Sequence, residues 1–284
     1  QRHLWLRFGY LAALAAVVLW LQIPSAEESA SLTELAKSAS QTFRYAATTQ
    51  LLLMCFLAPV FTASAITQER DAQTFNILIS TPLTSGQIVL GTLMSRLYFV
   101  IVLLLAGLPI FYMTMIYGGV TSPQIVQSFA LSASTAILTG ALAIFIAMIG
   151  VGTRRTIFSF YLMIALYLLA LYLIGRWDRT WIAASAPNLD GVRMSWLTPF
   201  HPFLSLEVAL NRVNAPQYAA LPEYGPLARY ALAYPSTVYV VWTLALSLIL
   251  VIVSMFFVRR GIKTGEPTIL SNIVARFRRQ TNGE

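Results

Sequence analysis

The chain has 284 residues, 57% hydrophobic and only 11% charged, where a soluble domain carries about 25% charged residues. Its mean hydropathy of +0.69 means that most of its surface must face lipid, and the single cysteine, Cys55, excludes a disulfide framework or a cysteine metal site. The formal charge of +8 does not describe a nucleic-acid face, because the basic residues fall between and beyond apolar runs instead of gathering on one soluble surface.

A helix needs about 20 mostly apolar residues to cross a hydrocarbon core roughly 30 Å thick. Six stretches meet this: about Leu4–Ile23, Ala46–Ile66, Leu97–Tyr117, Ile125–Val151, Ile157–Ile174 and Thr237–Val258. The predicted fold is therefore an all-α polytopic membrane protein, a six-helix bundle over residues 1–258 followed by a basic tail, 259–284. Arg7 near the start of the first span must snorkel to the interface, and the fourth is long enough to tilt or to project. Trp5, Trp20, Tyr117, Trp177 and Trp181 fall near span ends, where amphipathic rings favour the headgroup region. Cys55 reads as a small buried apolar side chain within the second span. The first apolar run leads into a chain that keeps re-entering the membrane, unlike a cleavable leader. Since the numbering starts at Gln1 without methionine, a few preceding residues are expected.

Charge orients the bundle. With six spans, one side holds 12 basic residues against 4 acidic ones, and the other holds 7 of each. The positive-inside rule makes the first side cytoplasmic, with both termini inside. No Asp, Glu, Lys or His lies in the middle of a span, which weighs against a secondary transporter, since such carriers place relay or ion-binding groups there. Ser132, Ala136 and Gly140 in the fourth span form a small-residue stripe that lets another helix approach, within the bundle or from a second subunit.

Between the second and third spans, Ala72, Phe75, Leu78 and Ile79 recur at helical steps, as in an amphipathic helix lying along the membrane surface. It should stop near Thr81-Pro82. Thr81 then caps a new helix with Pro82 in its first turn, which feeds the third span through Gly86 and Gly91. Glu69 and Arg70 are sequence neighbours that do not face one another on a helix, so each is free for a different partner. From spacing alone, a plain interfacial elbow is the simpler reading.

The run Ile66-Thr-Gln-Glu-Arg-Asp-Ala-Gln-Thr through Leu78-Ile-Ser-Thr-Pro-Leu83 to Ile88-Val-Leu-Gly91 resembles the signature of the type-2 family of ABC transporter permeases. That pattern is an Ile-Thr-x-Glu-Arg-Glu-x-Gly-Thr-like run, then Leu-Leu-x-Thr-Pro-Leu and an Ile-Val-x-Gly-Lys-like turn. Asp71, Gln73 and Thr92 depart from it, standing where Glu, Gly and Lys are usual. The resemblance implies that this loop is a coupling helix seated on a separate ABC ATPase, with Glu69, Arg70, Asp71, Thr74, Phe75, Leu78, Thr81 and Pro82 at the contact. It further implies two ATPase subunits, a second permease that is identical or homologous, and a bacterial inner-membrane exporter. ATP and magnesium would be held by the partner ATPase, leaving no cofactor or metal in this chain. A rival reading keeps the fold but makes the chain an anchoring or force-transmitting subunit of a larger envelope machine, of secretion or motility type.

The long segment Gly175–Tyr234 is external in this topology, and its Trp196-Leu-Thr-Pro-Phe-His-Pro-Phe203 run resembles the Pro-Phe-rich stretch of the same family. Its prolines break helices, and short interfacial helices are expected there. Pro199, Phe200, Pro202 and Phe203 are candidates for an external gate, with a simple connector as the alternative. His201 has no second histidine nearer than His3, across the membrane, and so makes a poor metal or haem ligand. In the tail, Ile269, Leu270, Ile273, Val274 and Phe277 share one helical face beside Arg276, Arg278 and Arg279, a pattern for a basic membrane-surface helix. The chain has no phosphate loop, no nucleophile–His–acid set and no His-Glu-x-x-His, so it is expected to be non-catalytic.

Overall fold

Several helices begin on a polar residue set just ahead of an apolar run, as at Ser31, Thr84 and Thr121. In the computed structural model, residues 9–16, 20, 31–71, 84–116, 118–149, 153–188 and 190–260 are described, and no strand occurs among them. A short helix α1 (9–16) is followed by α2 (Leu32–Asp71), α3 (Ser85–Ala106), α4 (Leu108–Ile116), α5 (Ser122–Ile149), α6 (Thr153–Gly175), α7 (Pro202–Ala209), α8 (Pro226–Ala233) and α9 (Pro235–Arg260). Long apolar stretches able to cross a membrane are Leu32–Thr62, Ser85–Ile116, Ser122–Ala147 and Pro235–Phe256, with a shorter apolar helix over Phe160–Gly175. The predicted first span is helical at the few positions described.

Three boundaries differ from expectation. α2 starts at Leu32, well before Ala46, because Ser31 and Glu34 form a reciprocal cap: the Ser31 N–H donates to the Glu34 carboxylate (2.9 Å), and the Glu34 N–H donates to Ser31 Oγ (3.3 Å). The helix entering the third span starts at Ser85 and is capped by Thr84, while Thr81 and Pro82 lie outside the described residues. Thr84 Oγ1 accepts from the Gln87 N–H while the Gln87 side chain accepts from the Thr84 N–H, a second capping box. The third span is broken into α3 and α4 at Gly107, since Pro109 has no N–H to continue the ladder. Gly107 also admits α1, because a Cβ there would press on Tyr10 and Leu14 at 3.2–3.3 Å.

The turn into α5 passes through Gly118 and Gly119, both at φ 79°. A Cβ on Gly119 would run into the Ala36 carbonyl of α2, so the turn locks onto that helix only with glycine there. α5 is the hub of the bundle, packing most extensively on α2 and α9 and also on α3. Its stripe of Ser132, Ala136 and Gly140 is used inside the bundle: Ser132 and Ala136 are buried, and a Cβ on Gly140 would touch Thr62 of α2 and Leu97 of α3 at 3.2–3.3 Å. Thr135 and Tyr239 join α5 to α9 through a buried hydroxyl–hydroxyl bond of 2.9 Å. Cys55 is buried and free in α2.

Between α6 and α9 the chain forms a small unit with its own core of Ile182, Met194, Val213, Leu221 and Leu232. It contains the expected short helices, α7 and α8, together with single 3₁₀ turns at Asp178–Thr180, Thr198–Phe200 and Tyr218–Ala220.

Candidate functional site

Two regions were singled out by sequence, and they lie at opposite ends of the helices. The first is the end of α2, whose last turn carries Glu69, Arg70 and Asp71. The chain comes back into description at Thr84, the cap of α3. Thr74, Phe75, Leu78, Thr81 and Pro82 lie outside the described residues, as does the amphipathic tail beyond Arg260.

The second is the Pro-Phe segment, and its geometry goes beyond what the sequence suggested. Pro199 and Phe200 make the 3₁₀ turn, Pro202 occupies the first turn of α7, and Phe203 follows it. The Phe200 ring meets Trp242 edge-on at 6.0 Å, and the Phe200 carbonyl accepts from the Tyr167 hydroxyl. Tyr167 lies eight residues before the end of α6 and Trp242 seven past the start of α9. At 1.5 Å per residue, the Phe200–His201 corner sits about 10 Å inside the ends of both helices. The segment is re-entrant.

Irregular backbone is tolerated at such depth only when it is enclosed by protein and its polar groups are paired. Both conditions hold. Thr198, Pro199, His201 and Ser205 are buried, and the Thr198 carbonyl accepts from Ser205 Oγ at 2.6 Å and from the His201 N–H at 3.3 Å. His201 pins the corner: Nδ1 accepts from the Leu204 N–H at the start of α7 (3.3 Å), and Nε2 lies 3.0 Å from the Leu168 carbonyl of α6. With Nδ1 accepting, the proton belongs on Nε2, which donates to Leu168. His201 is thus a neutral cap and tie. Farther along, Leu204 packs so closely on Gly175 that no Cβ would fit between them.

Beside this corner a groove of about 480 Å³ runs between α2 and α6, floored by α7. Phe203 lines it while also touching the His201 ring. Where α7 ends, charged groups gather: Glu207 is paired with Arg176 at 3.4 Å and with Arg212 at 3.8 Å, and Arg212 also reaches Asp190 at 3.8 Å. Sequence reading missed this cluster, because its members are scattered through the segment and only folding brings them together.

Apolar helices of spanning length, glycine-mediated contacts between them and a re-entrant corner define a multi-pass α-helical membrane protein. The family model described as "ABC-2 family transporter protein" matches residues 6–260, and the chain belongs to that family. It is accordingly a transmembrane permease of an ABC transporter, and membership implies association with an ABC ATPase. No curated protein matches it.

Proposed function

We propose that this chain is the permease half of an ATP-driven exporter of the bacterial inner membrane, with six spans and both termini in the cytoplasm. It works with a second permease, identical or similar, and with two ATPase subunits that hold ATP and magnesium. The chain itself catalyses nothing. The observation carrying this reading is the family match over residues 6–260, within which the Ile66–Gly91 run keeps the order of the coupling signature.

In this mechanism, ATP-driven closure of the ATPases displaces the 66–82 loop, with Glu69, Arg70, Asp71, Thr74, Phe75, Leu78, Thr81 and Pro82 at the contact. α2 carries the displacement into the bundle, and two such bundles alternate between inward and outward openings. The Pro199–Phe203 corner, placed on the opposite side by the topology, would act as the external gate. Because the corner is tied to α6 through His201 and to α9 through Phe200 and Trp242, relative movement of those helices would move it.

Co-purification of the ATPase with the full chain from native membranes tests the coupling role. Glu69→Ala with Arg70→Ala is expected to lose the ATPase or to uncouple its hydrolysis from transport. Unchanged association and coupling would overturn the assignment.

A further inference from the structure

The groove between α2 and α6 is graded along its length. At one end are Arg44 of α2, Tyr172 of α6, Glu207 in the last turn of α7 and Arg212 beyond it. At the other end the walls are Leu52, Phe56 and Leu169. The apolar end is closed by α6 itself, where Tyr161 stacks on Phe56 with ring centroids 5.9 Å apart and donates to the Phe56 carbonyl at 3.0 Å. From Arg44 to Phe56 is twelve residues of helix, or about 18 Å.

The polar end does not balance its own charge. Glu207 is already engaged at both oxygens, by Arg176 at one and by Arg212 and Tyr172 at the other. Asp190 is taken by Arg212. Among the described residues, Arg44 has no carboxylate within ion-pair distance and rests against the Tyr45 ring at 4.9 Å. Three guanidinium groups therefore face two carboxylates, and the surplus cation stands at the mouth of an apolar slot. A half-buried guanidinium without a counter-ion calls for an anion, and its planar fork matches phosphate oxygens. A choline or ethanolamine headgroup would instead bring a second cation up to it.

We propose that this groove is a binding site for an anionic phospholipid of the surrounding bilayer. Its phosphate meets Arg44 and the outer edge of Arg212, and one acyl chain lies along Leu52, Phe56 and Leu169. The lipid fills a slot between α2 and α6 that no side chain of the bundle fills. It stands independently of any coupling to an ATPase and requires only that these helices cross a membrane.

Native mass spectrometry of the purified full chain, titrated with phosphatidylglycerol or with phosphatidylcholine of the same acyl chains, tests it. The wild type is expected to retain one phosphatidylglycerol and to bind phosphatidylcholine about tenfold more weakly, because choline sets a cation against the guanidinium while the phosphate is the same. Arg44→Gln should erase that preference and Arg44→Lys should keep most of it. Leu52→Trp, which fills the slot from an exposed position, should displace the lipid while helix content and monodispersity stay unchanged. Equal retention of both lipids by the wild type would overturn the proposal, even if Arg44→Gln failed to fold. So would a lipid-free dimer that Leu52→Trp converts to monomer, because that result would put a second copy of the chain in the groove.

Discussion

α5 and α6 are neighbours in sequence, both apolar and both long, yet they have opposite surroundings. α5 buries residues on every side, among them Leu131, Ala136, Ala141, Ala143 and Ile144. α6 buries a single stripe of Phe160 and Ile164 against Ala143, and leaves Phe158, Leu162, Leu166, Leu169 and Leu173 exposed. The difference lies in side-chain size. α5 is rich in Ser, Ala, Thr and Gly where α6 has Leu, Tyr, Phe and Met. In lipid there is little hydrophobic drive between helices, because the tails are as apolar as leucine, so association depends on close backbone approach. Small residues provide that approach, and large ones face lipid or another chain. Overall apolarity does not distinguish the hub of a membrane bundle from its rim.

The strongest challenge to this contrast is Gly140→Leu, which forces a branched side chain against Thr62 and Leu97. It should cost about 3 kcal/mol, the upper end for overpacking, read as a fall in thermal midpoint of the detergent-purified chain. A midpoint close to the wild type would mean that α5 is not the tight hub described.

Next comes the tie between α6 and the re-entrant corner. His201→Phe removes both the cap of α7 and the bond to the Leu168 carbonyl, and should cost about 1 kcal/mol through the lost cap. The thermal midpoint of the purified variant reads this, and a value equal to that of the wild type would mean that the imidazole does not hold the corner.

Tyr239→Phe removes the bond between α5 and α9. Thr135 keeps its bond to the Leu131 carbonyl at 2.7 Å, so no buried group is orphaned. The cost should be near 0.6 kcal/mol, typical of interhelical bonds in membranes. Leu166→Ala on the exposed face of α6 should have the smallest effect, within about 0.5 kcal/mol. A larger loss in the purified oligomer, absent from the monomer, would show that a second protomer covers that face.

Much of this architecture was readable in the residues. The apolar runs gave the long helices, because hydrophobic length is a local property. The starts of α2 and α3 were legible too, in Ser31-x-x-Glu34 and Thr84-x-x-Gln87, but apolarity marks where a helix can sit in lipid and not where its backbone bonds begin. The break at Gly107 had its signal in Pro109. The depth of the Phe200–His201 corner had none, since it depends on Leu168 and Trp242, each more than thirty residues away. The groove brings together α2 and α6, more than a hundred residues apart, and no short-range pattern announces it. The residues proposed for coupling are legible only as a motif. Of these, Glu69, Arg70 and Asp71 fall in the last turn of α2.

α2 is a continuous helix of 40 residues, about 60 Å from end to end, twice the thickness of the hydrocarbon it crosses. One run of helix thus joins Asp71 at its far end to the contact near Leu32, where the Ala36 carbonyl lies against Gly119. Pro59 interrupts its ladder, because with no N–H it leaves the Cys55 carbonyl without its rung at that one level. Thr62 donates its hydroxyl to the Ala58 carbonyl at 2.9 Å, bracing the helix just past the missing rung. The missing rung, braced one turn on, makes the level of Pro59 the weakest point of the α2 ladder.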